Sequence, residues 1–329
     1  MSLMENRATS KPWLLPAVLA LFPGFGAASK QTRDQVAIRE PGERRFGAPV
    51  PLAREGERDW QYAWLSVVAY TKTPAGKKRR EAKARASVVS EEDAYKPPET
   101  ILGELGWTRW DGFPDAGLQK KIDDAHLRVE VWERRSDAQV VIAFGGTVFN
   151  NSKDWLSNLR WFVPWHKDEY SLVITDFGPA FAKEYQRRAN APANAHLKVA
   201  DIYSTGHSLG GGLAQQLAYA LPTNNAIPRV NHVFAFDPSP VTGYFSVDRT
   251  TREDNKKDLF IDRIYERGEI LAIVRSFTSF VVLPSRRSPT LRGVRYALFY
   301  PANPISGHSI SELACKLSVA IGHKEVLKS

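Results

Sequence analysis

Residues 203–212 read Y-S-T-G-H-S-L-G-G-G and contain the five-residue pattern Gly-X-Ser-X-Gly with Ser208 at its centre. The residues before it, 197–203, predict a buried strand, and those after it, 213–221, predict a helix. A sharp turn between a strand and a helix holds a serine hydroxyl out toward a substrate, as a nucleophilic serine requires. The stretch therefore predicts a nucleophile, provided that partner residues lie elsewhere. A glycine-rich turn without catalytic function is the alternative.

The composition is that of a globular protein: of 329 residues, 43% are hydrophobic and 25% are charged. Such a chain can bury a full core as one large domain or as two. The formal net charge is +9, and part of the excess lies in a cationic run at residues 77–85. This run indicates a solvated face or attraction to an anionic membrane surface. We expect no nucleic-acid partner, because no nucleic-acid-binding module is recognisable.

Cysteine and histidine usage argues against metal or disulfide chemistry. The one cysteine, Cys315, excludes an intrachain disulfide, and it lies in an apolar helical stretch that is typical of a core. The seven histidines are scattered and form neither an H-E-x-x-H motif nor a Cys/His cluster. We expect chemistry that needs no metal and no cofactor.

The chain divides into three parts. Residues 1–29 carry cations, a short apolar run and small residues, typical of a cleaved secretory signal; an apolar arm on a cytosolic protein is the alternative. Residues 30–59 are rich in charge, Pro and Gly and are interpreted as a loosely structured lead-in. The catalytic domain is expected at 60–329, beginning with a core-packed helix at 60–71, and 73–98 is interpreted as an exposed excursion. The predicted location is secreted or periplasmic, with the cytoplasm as the alternative.

A second strand end offers partners for Ser208. Residues 126–144 change from alternating to continuously apolar, which predicts an antiparallel pair leading into a buried strand. It ends at residues 145–147, Gly-Gly-Thr, where glycines let the backbone approach a ligand closely. An attacked carbonyl becomes an oxyanion and needs two preorganised donors. We expect these from the backbone N–H of Leu209 and from Thr147, by its backbone and its hydroxyl.

Residues 148–165 are unusually apolar for a connection. They predict a short helix, which is either a packed surface helix or a lid that covers the site in water and turns its apolar face to lipid. The candidate lid residues are Asp154, Trp155, Leu156, Leu159 and Trp161.

Two later strands, predicted at residues 230–236 and 259–265, run into acidic residues. Ligand sites lie at the carboxyl ends of parallel strands, so these acids are candidates for orienting a catalytic histidine. His308 precedes a predicted C-terminal helix, which gives the chain order serine, acid, histidine. The candidate acids are Asp237, Asp262, Glu266 and Glu269.

Together, residues 140–147, 154–159 and 206–211 resemble the class 3 lipase family, an α/β-hydrolase group that includes fungal triacylglycerol lipases. The resemblance covers the chain from about residue 60 to its end. It implies an α/β fold with a mostly parallel central sheet flanked by helices, and a helical lid at 148–161.

By this resemblance Ser208 is the nucleophile, Thr147 and Leu209 form the oxyanion hole, and His308 is the base. Glu269 lies in the segment that resembles the family's source of the acid, although most members have aspartate there. The alternatives for the acid are Asp237, then Asp262, with Glu266 also open.

The sequence also departs from the family pattern at Gly145, where the family commonly has arginine. The missing arginine removes a charge near the predicted lid. His207 is expected to be a packed core histidine, because its side chain faces opposite to that of Ser208. His232 and His323 are weaker candidates for the base.

The resemblance implies an enzyme that cleaves carboxylic esters of lipids through an acyl-enzyme on Ser208. A phospholipase A1 or a short-chain carboxylesterase with the same triad is the alternative. A non-catalytic lipid-binding module on a hydrolase scaffold is the alternative from another class. The expected partners are a lipid or ester substrate and a lipid interface in peripheral contact, and the oligomeric state is left open.

Overall fold

A computed structural model describes residues 31–70, 96–146, 167–224, 226–267, 288–299 and 309–327. Nine strands form in these residues: β1 (Gln35–Arg39), β2 (Val50–Pro51), β3 (Thr108–Arg109), β4 (Val129–Arg134), β5 (Gln139–Phe144), β6 (Asp201–His207), β7 (Val230–Phe236), β8 (Phe260–Glu266) and β9 (Thr290–Tyr296). They make one sheet in the order β2-β1-β9-β8-β7-β6-β5-β4-β3. Strands β5 to β9 are parallel, and both edges are antiparallel.

Helices cover both faces of the sheet. The described helices are α1 (Ala53–Val68), α2 (Pro98–Glu104), α3 (Ala116–Asp124), α4 (Lys167–Leu172), α5 (Gly178–Ala189), α6 (Leu209–Ala220), α7 (Arg249–Asn255) and α8 (Ile310–Ala320), with a π-helical turn at Val173–Phe177 between α4 and α5. Helix α1 packs on β5, β6 and β7 and against α8, while α6 packs on the same three strands from the other side. This is the architecture of an α/β-hydrolase, as the sequence predicts.

The continuously apolar strands are explained by burial on both faces. In β5, Val140, Ile142 and Phe144 belong to the core under α6, while Val141 and Ala143 belong to the core under α1. Side chains alternate between the two faces of a strand, so a strand covered on both sides must be apolar at every position. The same reasoning correctly places β7 and β8 to within one residue.

The predicted lead-in at 30–59 is wrong for its described part. Strand β1 pairs antiparallel with β9, and α1 begins seven residues before Trp60, at Ala53. Two acidic residues in this stretch, Glu55 and Asp59, are buried, because Arg58 pairs with both at 2.8 and 2.7 Å. The charged residues of this stretch predicted a solvent-exposed segment. The ion pairs with Arg58 instead allow both carboxylates to be buried.

Two smaller predictions meet different outcomes. The strand predicted at 197–203 begins only at Asp201, because the preceding residues, Pro192–Val199, form a 3-10 helix. Cys315 is fully buried in α8, as predicted. The proposed signal at 1–29, the lid at 148–165 and residues 73–95 of the predicted excursion lie outside the described residues. Across the part that the structure describes, none of the helices combines the length and apolar character that a membrane span requires.

Candidate active site

Ser208 occupies the turn between β6 and α6, with φ 59° and ψ −123°. This region of backbone space is unfavourable for a residue with a side chain. Three hydrogen bonds hold it there: the Ser208 N–H donates to the Phe236 carbonyl at 3.0 Å, and the Ser208 carbonyl accepts from the N–H groups of Gly211 at 3.1 Å and Ser239 at 2.9 Å. The end of β7 thus fixes the turn, and the geometry is that of a nucleophile elbow.

Two glycines of the Gly-X-Ser-X-Gly pattern are required by close backbone approach. A Cβ added to Gly206 would lie 2.3 Å from the carbonyl oxygen of Gly210, and one added to Gly210 would lie 2.4 Å from that of Phe144. No real Cβ makes contacts this short. Both positions must therefore be glycine, because α6 begins in direct contact with the backbones of β5 and β6. Ser208 lies where these three elements meet.

The end of β5 contacts Ser208. A Cβ added to Gly146 would lie 3.2 Å from the Cβ of Ser208, so the backbone at Gly146 passes directly beside the serine. Leu209 opens α6 and is buried, and its helix N-terminus carries the partial positive charge that favours an anion. Thr147, the other predicted donor, lies outside the described residues, as do the candidate lid residues Asp154, Trp155, Leu156, Leu159 and Trp161.

His207 is a packed histidine, in agreement with the sequence prediction. It is buried, and its Nδ1 lies 2.9 Å from the phenolic oxygen of Tyr70, which also donates to the His207 carbonyl at 3.3 Å. A Cβ on Gly146 would meet that phenolic oxygen at 2.4 Å. Tyr70 therefore lies where the end of α1, the end of β5 and the elbow converge, a placement that no sequence motif indicates.

The other described histidines have partners of their own or are exposed. His232 lies near the start of β7 and bonds to Asp262 at 2.8 Å, and His323 stacks on Trp60 and bonds to Glu57. His196 faces Glu133 at 3.7 Å, and His126 is exposed in the turn after α3. The remaining two histidines of the sequence, His166 and His308, lie outside the described residues.

The three described candidate acids have different environments. Asp262 is in register with Phe234 and, through it, with Thr205. It therefore lies about 10 Å short of the carboxyl edge where Ser208 stands. Its carboxylate is buried and pairs with Arg292 at 2.7 Å, and with Arg58 at 3.3 Å. Asp262 is a structural acid in this arrangement and is removed as a triad candidate.

Asp237 and Glu266 both lie at the carboxyl edge. Asp237 follows β7 with a positive φ of 39°, is buried, and accepts a hydrogen bond from the Glu266 N–H at 3.1 Å. Glu266 accepts bonds from the N–H groups of Phe299 at 3.1 Å and Leu298 at 3.2 Å. Burial outweighs these bonds and raises the pKa of Glu266 to about 8. Glu269, the expected acid, lies outside the described residues.

Arg128 is a site residue that the sequence did not mark. It immediately precedes β4 and is half-buried. Its Nη1 donates to the carbonyl of Gly146 at 2.8 Å. The only sequence signal is its position opposite the Gly-Gly strand end in the predicted antiparallel pair.

No protein-family model and no curated protein matches the sequence. Solved structures do match: a Rhizomucor miehei lipase propeptide complex is 13% identical over 74% of this chain and 67% of that chain, with a TM-score of 0.41. A lipase from Yarrowia lipolytica is 15% identical over 67% of this chain and 74% of that chain, with a TM-score of 0.40. Lipase II from Rhizopus niveus is 14% identical over 74% of this chain and 79% of that chain, with a TM-score of 0.38. At these identities a likeness concerns fold, so activity is inferred from the elbow itself.

Proposed function

We propose that this protein is a serine hydrolase that cleaves carboxylic esters of lipids through an acyl-enzyme on Ser208. The observation that carries the proposal is the strained elbow, which is fixed by β7 and lies against the end of β5. At φ 59° and ψ −123° the Ser208 backbone is strained, and strain of this kind clusters at functional sites. Ser208 is also buried, and preorganised donors stabilise a developing charge more strongly in a low-dielectric site than in water.

In the proposed reaction the Ser208 hydroxyl attacks the ester carbonyl while His308 takes its proton. The oxyanion is held by the N–H of Leu209 and by Thr147, and its collapse releases the alcohol, which receives the proton from His308. Water activated by His308 then releases the carboxylic acid. Glu269 fixes the imidazole tautomer, with Asp237 as the described acid that could replace it, since it is buried at the carboxyl edge.

The finer assignments are part of the same proposal. Residues 148–161 form a lid that turns its apolar face to a lipid surface, and residues 1–29 direct export and are removed. The catalytic domain includes β1 and α1, because β1 pairs with β9 in the sheet and α1 packs on β5, β6 and β7. An exported protein with an intact N-terminus would contradict the cleaved signal.

The test is hydrolysis of p-nitrophenyl esters from acetate to palmitate, with and without a lipid interface, by wild type and by Ser208→Ala. We expect Ser208→Ala to lose nearly all activity and to fold normally. Ser204→Ala is the matched control, because Ser204 is buried in β6 and donates to the Ala214 carbonyl inside the core; it should retain activity. Equal activity of Ser208→Ala and wild type would refute the nucleophile.

Further substrates and variants distinguish the preferred acyl chain length and identify the acid of the triad. Activity that rises with chain length at the interface supports a lipase, and activity on short soluble esters alone supports a carboxylesterase. Cleavage of phospholipid vesicles at the sn-1 ester supports a phospholipase A1. A larger loss of kcat in Glu269→Gln than in Asp237→Asn supports Glu269 as the acid. Failure of a serine-reactive phosphonate to label wild type would support the non-catalytic scaffold.

A further inference from the structure

Tyr70 lies beside the residue that precedes Ser208. It follows α1 directly, where its N–H donates to the Val67 carbonyl at 3.1 Å, and its side chain is buried. Its phenolic oxygen lies 2.9 Å from Nδ1 of His207 and 3.3 Å from the carbonyl oxygen of the same residue. Because α1 packs on β5, β6 and β7, this phenol is held at a fixed place next to the elbow.

The two contacts between Tyr70 and His207 need two different donors, because a phenol has one proton. Both are satisfied when the Nδ1–H of the imidazole donates to the phenolic oxygen and the phenolic O–H donates to the backbone carbonyl. The resulting loop of hydrogen bonds runs from the side chain of His207 through Tyr70 to the backbone of His207. It requires a proton on Nδ1 of the imidazole.

The carbonyl in this loop belongs to the peptide unit that carries the N–H of Ser208. A trans peptide is planar, so bonds to its carbonyl and its N–H fix the orientation of the whole unit. Tyr70 donates to the carbonyl from the end of α1, and the Phe236 carbonyl accepts from the N–H at 3.0 Å. The carbonyl of Ser208 itself accepts from the N–H groups of Gly211 and Ser239. The peptides on both sides of the Ser208 Cα are therefore held, which fixes its φ and ψ.

We infer that Tyr70 is a positioning residue for Ser208: its hydroxyl, bonded to His207, holds the peptide before the elbow and thereby directs the serine hydroxyl. This inference rests on the proposed function. A strained backbone persists only where the surrounding contacts over-determine it, and the bond from Tyr70 is one of those contacts. It gives His207 a function beyond filling the core, because the imidazole sets the direction in which the phenolic proton points.

The end of β5 leaves the space that this contact needs. A Cβ on Gly146 would lie 2.4 Å from the phenolic oxygen of Tyr70, 2.6 Å from the carbonyl oxygen of His207 and 3.2 Å from the Cβ of Ser208. A side chain at position 146 would therefore displace the bond between Tyr70 and His207 and crowd the serine at the same time. Glycine is required there because the phenol, the carbonyl and the serine meet at one point.

The test compares Tyr70→Phe, which keeps the ring and removes the hydroxyl, with Tyr185→Phe as the matched control. Tyr185 is also buried, and its hydroxyl also donates to a backbone carbonyl, that of Leu197, at 2.5 Å. Leu197 precedes β6, so this bond lies at the opposite end of the strand from Ser208. Each variant is assayed for kcat and KM on a soluble p-nitrophenyl ester, for its rate of phosphonate labelling, and for urea unfolding.

A reacting group displaced by about 1 Å can cost about 100-fold in rate. We expect Tyr70→Phe to lose less, on the order of 10-fold in kcat and in labelling rate, because the bonds from β7 and α6 still hold the elbow. KM should stay within about twofold of wild type. Tyr185→Phe should lose a similar amount of stability, since both variants lose one buried hydrogen bond, but it should keep the kcat and labelling rate of wild type.

Nitrogen NMR of histidine-labelled protein tests the loop of hydrogen bonds without relying on activity. In wild type the His207 imidazole should carry a proton on Nδ1, and its signals are assigned by their absence in His207→Asn. Tyr70→Phe should shift these signals, because the phenolic oxygen that accepts from Nδ1 is gone.

A kcat and a labelling rate of Tyr70→Phe within about twofold of wild type, or a loss confined to KM, would overturn the inference while the proposed function stands. An equal loss of kcat in Tyr185→Phe would show a general effect of destabilisation and overturn it too. If Tyr70→Phe does not fold, the NMR of wild type decides, because an Nδ1 without a proton contradicts the loop. Wild type that neither hydrolyses esters nor reacts with the phosphonate would overturn both proposals.

Discussion

Replacing Ser208 by glycine should stabilise the protein relative to replacing it by alanine, although both variants lack the serine hydroxyl. At φ 59° and ψ −123°, a side chain at position 208 is strained, and alanine keeps that strain while glycine relieves it. The hydroxyl is absent from both variants, so the comparison isolates the backbone. A stored strain of this kind is expected where a fold holds a catalytic group against its local preference.

The magnitude follows from two opposing terms. A non-glycine residue in such a region costs about 1 to 3 kcal/mol. Glycine loses more chain entropy on folding, which costs about 0.5 to 1 kcal/mol. From the middle of each range, the unfolding free energy of Ser208→Gly should therefore exceed that of Ser208→Ala by about 1 kcal/mol.

Urea unfolding of the two variants, followed by tryptophan fluorescence, measures this difference. The same pair of substitutions at Ser204 is the matched control, because Ser204 lies in strand β6 and does not have a positive φ. There the order should reverse, with glycine less stable than alanine by about 0.5 to 1 kcal/mol. Equal or lower stability of Ser208→Gly than of Ser208→Ala would refute the strain at the elbow.

Two further predictions concern the acids near the sheet. Burial raises the pKa of Glu266 from 4.5 to about 8, so its protonation stabilises the fold fully below pH 4.5, and this contribution is lost as the pH rises through 8. Between pH 5 and 7.5, urea unfolding should show wild type losing up to about 1.4 kcal/mol per pH unit relative to Glu266→Gln, and parallel pH profiles would contradict this. Asp262→Asn should lower the unfolding free energy by about 3 kcal/mol, because Arg58 and Arg292 lose a buried counter-charge. The folded variant should retain wild-type kcat on p-nitrophenyl esters, and a selective loss of kcat would restore Asp262 as a triad acid.

Local patterning determined much of the fold. The elbow at Ser208, the buried strands β5, β7 and β8, and helix α8 all follow from spacing that the backbone imposes over a few residues. The two glycines flanking Ser208 are also local, since the strand and helix that they separate are adjacent in the chain. These features could be predicted because each is complete within about ten residues.

Tertiary structure alone decided the rest, because burial of a charged group depends on partners far away in sequence. Arg292 bonds to Glu55 across 237 positions, and such contacts turn a polar stretch into the start of a core helix. The same applies to Asp262. Its position in the sequence made it a candidate catalytic acid, but its contacts with Arg58 and Arg292 show that it is a structural acid. The bond from Arg128 to Gly146 likewise exists only because two strands pair, so no motif around either residue reveals it.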